Sequence, residues 1–108
     1  MSVEPLRGEV WDARIPRAGS HPFVVLTVNA MITRLGAITA ALVTGTGGPP
    51  STHVPVGPET GLDGHNESYV NATDLHTIPK AAFRRRRGRL HPAEMARLEE
   101  AVRAYLGL

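Results

Sequence analysis

SYVNATDLHTIPKAAFRRRRGRLH, residues 68–91, carries the least ordinary chemistry in this 108-residue chain. Lys80, Arg84, Arg85, Arg86, Arg87 and Arg89 make up half of its 12 Lys and Arg, and two polar clusters, 71–74 and 76–77, precede them. Charge blocks that stay unfolded are poor in aliphatic and aromatic residues. Here Tyr69, Val70, Leu75, Ile78, Phe83 and Leu90 are interleaved with the polar groups, so the stretch reads as folded. It resolves into a short strand at 68–71, one helical turn at 79–83 and a further short strand at 86–90. Pro92 then opens the one long helix: proline suits a first helical position, Glu94 suits the first turn, and Gly107 supplies the stop. Met95, Leu98, Val102 and Tyr105 form its apolar stripe.

Upstream, residues 9–15 alternate, with Trp11, Ala13 and Ile15 on one face and Val10, Asp12 and Arg14 on the other, the pattern of a half-buried strand. PRAGS at 16–20 is loop composition. FVVLTV at 23–28 reads as a central strand, 29–35 as a connection, and 37–43 as a third strand ending at Thr44, where GTGGPP forces a loop. A fourth strand at 52–56 belongs at a sheet edge, because Pro55 has no N–H for a ladder. Residues 58–67 form a polar loop. Five or six short strands and one helix give the fold class: mainly β with a C-terminal α-helix, built as a small, strongly bent sheet or barrel.

The length fits one domain, 1–108, and its 42% hydrophobic content fills one core while leaving apolar surface for a partner to cover. Net charge is only +2 although the pI is about 9.7, so the basicity is local, in the run 84–89. No acidic residue stands between Lys80 and Glu94, which predicts an open cationic patch. That patch admits three readings: a phosphate-binding surface, a docking face for an acidic partner, or a solvated charge run. The absence of Cys excludes disulfides and thiolate metal sites, and His53, His65 and His91 lack metal-ligand spacing, so neither a metal nor a cofactor is expected. GTGG at 45–48 lacks the Lys-Ser/Thr of a phosphate-binding loop. No signal-like or membrane-spanning run occurs, and a cytoplasmic protein is expected.

In order, RGEVW (7–11), HPFVVLT (21–27), THVPV (52–56), DLHTIPK (74–80), RGRLHPAEM (87–95) and the closing LGL resemble the MazF/PemK family of toxin endoribonucleases. The resemblance implies an SH3-like small barrel of the CcdB/MazF/PemK type, a homodimer, and control by a cognate acidic, MazE-like antitoxin. It also implies metal-independent cleavage of single-stranded RNA, whether message or ribosomal or transfer RNA loops, to 2′,3′-cyclic phosphate and 5′-hydroxyl ends. The family's catalytic positions fall on His21, where the family has Arg, and on Thr44. His76 stands where the family has an Arg before Thr. RNA-binding positions are Arg17, Asn71, Thr73, His76, Thr77, Arg84, Arg85, Arg86 and Arg87. The alternative within the fold is a non-catalytic toxin or nucleic-acid-binding module, for instance a CcdB-like topoisomerase poison, although the ending YLGL lacks that family's terminal Trp.

Breaking RNA without a metal requires removal of the 2′-hydroxyl proton, stabilisation of charge on phosphorus, and protonation of the departing 5′-oxygen. An imidazole can move either proton, whereas a guanidinium mainly stabilises charge. His21 is accordingly assigned proton transfer, Thr44 a hydrogen bond to a phosphate oxygen, and Arg17 or the run 84–87 the positive charge. Asp74 would orient His76, and single-stranded loops suit a reader of splayed bases. Read on spacing alone, His21 is a polar junction residue held extended by Pro22. Thr44, Asn71 and Thr73 are then strand-end polar residues, and Thr77 a turn former.

Overall fold

A computed structural model describes residues 4–62 and 67–108. Six antiparallel strands form one sheet: β1 (Glu9–Ile15), β2 (Gly19–Val25), β3 (Ala37–Thr44), β4 (His53–Val56), β5 (Ser68–Pro79) and β6 (Phe83–Arg89), in the order β4-β5-β3-β2-β1-β6. A short helical turn, α1 (Asn29–Ile32), follows β2, and the long helix α2 (Pro92–Leu106) closes the chain. Among the described residues no helix is long and apolar enough to cross a membrane.

Strand alternation divides the apolar residues between two faces. One face carries Trp11, Ala13, Phe23, Val25, Ile38, Ala40, Ile78 and Phe83, with Ile32 of α1 packed on it. The other carries Val10, Val24, Ala41, Val43, Val54, Val70 and Ala72, covered by Leu98 and Ala101 of α2. Helix α2 rests on β4 and β5. Its entry is fixed by a capping box: His91 Nδ1 accepts from the Ala93 N–H at 3.2 Å, and Glu94 Oε1 accepts from the His91 N–H at 2.7 Å. The second carboxylate oxygen of the buried Glu94 accepts from the Gly57 N–H at 2.6 Å, tying the helix to the chain leaving β4.

The two edge strands, β4 and β6, are bridged by the 3-10 turn Pro58–Thr60, which lies against β6. The approach is so close that a Cβ on Gly88 would stand 2.1 Å from the Glu59 carbonyl oxygen. Gly61, at φ 70°, lies equally tight on Arg87. This bridge gives the bent sheet its barrel-like closure.

Several elements stand where the sequence puts them: β1 at 9–15, β3 ending at Thr44, β4 at an edge with Pro55 in it, and α2 from Pro92 to a left-handed Gly107. Strand β2 is shifted. It begins at Gly19 instead of Phe23, because PRAGS is not a long loop but a tight reversal, with left-handed backbone at Arg17 (φ 67°) and Gly19 (φ 84°). It ends at Val25, where the N–H groups of Leu26 and Thr27 both turn to the Thr39 carbonyl. Strand β5 runs 12 residues, not four. The polar cluster that reads as its end is a local irregularity: Asn71 Oδ1 accepts from the N–H (3.0 Å) and the hydroxyl (2.7 Å) of Thr73, where the β3–β5 register slips between Ala41 and Val43. Tyr105 is 52% exposed and does not belong to the apolar stripe of α2. Of the loop 58–67, Thr60 is buried, and residues 63–66, with His65, lie outside the described residues.

Candidate active site

Pairing between β2 and β3 runs from Val25↔Ala40 to Phe23↔Leu42 and stops. Beyond it β2 stays bonded to β1, with His21 opposite Ala13, and β3 stays bonded to β5, with Thr44 opposite Tyr69. His21 lies two residues past Phe23 and Thr44 two past Leu42, so both fall on the face of Phe23 and Leu42 and are next in line across the gap where the ladder ends. Beyond the buried Phe23 and its partner Leu42 the two strands part, leaving a notch between them with an imidazole on one strand and a hydroxyl on the other.

Local bonds hold both groups. His21 is exposed, and its Nε2 lies 2.6 Å from the Ala18 carbonyl oxygen. A carbonyl only accepts, so Nε2 is the donor here, and in the neutral ring Nδ1 is the nitrogen with the lone pair. The same reversal sets Arg17 in left-handed backbone, a conformation that costs a non-glycine residue about 1–2 kcal/mol. Thr44 Oγ1 accepts from the Thr46 N–H at 3.1 Å, which leaves the hydroxyl proton free to donate.

The third element of the site is on β5. Asp74 and His76 are two residues apart on one strand face, joined by a 2.6 Å bond from His76 Nε2 to Asp74 Oδ1. The imidazole of His76 packs edge-on against Phe23, with ring centroids 5.3 Å apart, across the small Ala40. Tyr69, read from sequence only as an apolar anchor, faces Thr44 directly. Its hydroxyl donates to Glu67, and that bond, with the carboxylate's charge, raises the phenol above its ordinary value of 10.0. Gly47 of the β3–β4 loop rests on its ring.

The other predicted positions divide. Asn71 and Thr73 are bonded to each other beside the site. Thr77 pairs with Thr39 and points to the face opposite His76. The arginine run is neutralised in part: Arg86 and Arg87 are ion-paired, whereas Arg84, Arg85 and Arg89 are exposed. It lies on edge strand β6, separated from β2 by β1, and register shifts in the β1–β6 pairing turn Arg86 to the side of Trp11 and Arg85 to the side of Asp12. Two carboxylates reach it across the ladder: Glu9 Oε2 accepts from Arg86 Nε at 2.7 Å, and Asp12 Oδ2 accepts from Arg87 Nη1 at 3.0 Å. Lys80 is likewise held, by Glu4 at 2.6 Å and the Ile32 carbonyl at 2.9 Å. Among the described residues, Arg17, Arg84 and Arg85 form no ion pair, and Arg17 adjoins the notch in the chain. Within the same set, no three His, Asp or Glu side chains converge as a metal site requires.

Residues 6–106 match the family described as PemK-like, MazF-like toxin of type II toxin-antitoxin system. A probable endoribonuclease MazF2 of Mycobacterium tuberculosis is 33% identical over 103 residues, covering 94% of this chain and 97% of the relative. A mycobacterial endoribonuclease solved in complex with its cognate antitoxin is 31% identical and superposes with a TM-score of 0.85 over 96% of each chain. A further mycobacterial endoribonuclease, 29% identical, gives a TM-score of 0.84 over 100% of this chain and 96% of its own. With nearly its whole length matched, and the same six-stranded frame and C-terminal helix, the chain is a member of the PemK-like, MazF-like family of type II toxins.

Proposed function

We propose that this chain is an endoribonuclease toxin, a single domain that cuts single-stranded RNA with its own side chains and leaves 2′,3′-cyclic phosphate and 5′-hydroxyl ends. The observation that carries the reading is that His21 and Thr44 follow Phe23 and Leu42 on one face, just beyond the end of the β2–β3 ladder. Nδ1 of His21 takes the 2′-hydroxyl proton, and the 2′-oxygen attacks phosphorus. The Thr44 hydroxyl donates to a non-bridging oxygen, where charge accumulates. Arg17, carried on the reversal that also orients His21, supplies positive charge in place of the arginine found at the His21 position elsewhere in the family.

The names of the relatives support the activity, and the neighbour solved with its cognate antitoxin supports a protein inhibitor as partner. An acidic antitoxin segment laid over the notch would block RNA by occupying its anion contacts. Exposed Val28, Met31, Leu35, Tyr105 and Leu106 favour a C2 homodimer, in which a self-complementary interface covers them. Action in the cytoplasm, where RNA and antitoxin are met, completes the reading.

The test is incubation of the purified chain with single-stranded RNA in excess chelator, followed by end-group analysis. Fragments with cyclic phosphate and 5′-hydroxyl ends are expected. Cleavage only after metal addition, or intact RNA with DNA breakage in expressing cells, overturns the proposal.

A further inference from the structure

We infer that His76, held by Asp74, is the general acid of the cleavage reaction, the partner that His21 needs to complete proton transfer. The inference rests on the reading of His21 as the base. A base alone leaves the 5′-oxygen to depart as an alkoxide; among the described residues on this face two further imidazoles stand near, His53 on edge strand β4, bonded to Thr52, and His76, which packs on Phe23. Lys80 is tied to Glu4 and Ile32, Arg86 to Glu9, and a guanidinium does not release its proton.

Strand register sets His76 and His21 on one face of the sheet, on β5 and β2 either side of β3. His76 packs edge-on against Phe23 at 5.3 Å, and His21 stands on the same face two residues before Phe23 on β2, roughly 7 Å along the strand. They approach from different strands, so an RNA backbone laid across β3 between β2 and β5 would meet one imidazole on each side. Attacking and leaving oxygens stand on opposite sides of phosphorus in an in-line displacement, which calls for this kind of separation. Thr44 lies between β2 and β5 on the central strand, where the non-bridging oxygens would face it.

Asp74 determines which nitrogen acts. Its carboxylate accepts from Nε2 of His76 at 2.6 Å, leaving Nδ1 for substrate. Both side chains keep access to solvent, with 37% of His76 and 40% of Asp74 exposed. Asp74 is a positioning residue in this scheme; His76 is catalytic. The step balances without a co-reactant. His21 Nδ1 gains the 2′-hydroxyl proton as the O2′–P bond forms; the P–O5′ bond breaks, and O5′ takes the proton of His76 Nδ1–H. Cyclic phosphate and a 5′-hydroxyl result, and a water-mediated proton exchange resets the two rings.

The decisive substrate is an oligonucleotide with sulfur in place of the bridging 5′-oxygen, because a thiolate leaves without protonation. On ordinary RNA, His76→Ala and His76→Gln are expected to cut about 10²–10⁴-fold more slowly than wild type, with RNA affinity unchanged. On the sulfur-linked substrate both should regain wild-type rate within about tenfold. Asp74→Asn should show a smaller loss with the same rescue. His21→Ala should be slow on both substrates, since its step precedes departure of the leaving group. Equal impairment of the His76 variants on both substrates, or loss of affinity at unchanged rate, overturns the role of His76 and leaves His21 standing. A His21→Ala protein that cuts both substrates at full rate removes the base, and with it the reading beneath. The Gln variant, retaining polar bulk against Phe23, guards against misfolding, and thermal melts of each variant confirm it.

Discussion

Glu94 offers a perturbation whose cost can be worked out from individual bonds. The carboxylate is buried and accepts two backbone N–H groups, from His91 at 2.7 Å and from Gly57 at 2.6 Å. Glu94→Ala removes both acceptors. His91 is an exposed residue at the helix start, so loss of this cap costs about 1 kcal/mol, as for other helix caps. The Gly57 N–H is half-buried between β4 and the 3-10 turn and cannot be rehydrated fully, which costs about 2 kcal/mol. Together these predict a loss of about 3 kcal/mol, or a fall in Tm of about 12–24 °C for a domain of this size. Glu94→Gln keeps one acceptor and should fall in between. Chemical denaturation at fixed protein concentration measures the change, since assembly would add to apparent stability. RNA cleavage per folded molecule should be unchanged, because Glu94 lies on the face of the sheet opposite His21. If Glu94→Ala is within about 0.5 kcal/mol of wild type, the carboxylate does not clamp the helix to β4 and the calculation is wrong.

The geometry sets four further outcomes. Gly88→Ala sets a Cβ 2.1 Å from the Glu59 carbonyl oxygen, so the 3-10 turn must lift from β6; a loss of about 3 kcal/mol is expected in denaturation, and an unchanged stability would show that the closure is loose. Arg17→Ala should reduce the salt dependence of RNA binding, log Kd against log salt, by about 0.7. Arg87→Ala should leave that slope alone and cost about 1 kcal/mol of stability, because its guanidinium is engaged with Asp12 and Gly61. Tyr69 should titrate above the ordinary tyrosine value of 10.0 in ultraviolet absorbance, and Glu67→Gln should bring it back down. The sign is that of a phenol whose protonated form is favoured in the fold: the bond to Glu67 contributes below the unfolded value and is lost as pH rises through the folded one.

Where local chemistry decided structure, the sequence was legible. Alternation in 9–15, the missing N–H of Pro55, and Pro92 with Gly107 each state their own consequence. Where tertiary partners decided, it was not. The polar residues 71–74 carry the composition of a strand end, and a strand-end reading of Asn71 and Thr73 hides that period two puts Asp74 and His76 side by side on β5. The basic run shows no acid within its own segment, yet Glu9 and Asp12 reach it from a strand some 75 residues earlier. His21 and Thr44 are linked only through a pairing register, which no local pattern reveals; family resemblance singled them out, and the end of the β2–β3 ladder supplies the physical reason. Tyr69 carried no signal beyond its apolar bulk, since its partner Thr44 lies across a register slip.

The most direct measurement compares wild type with His21→Ala on one single-stranded RNA in chelator, recording cleavage rate and RNA affinity separately. An imidazole acting as the base predicts a rate lower by about 10²–10⁴-fold, with affinity unchanged. Cleavage by His21→Ala at the wild-type rate, with the same product ends, would contradict it.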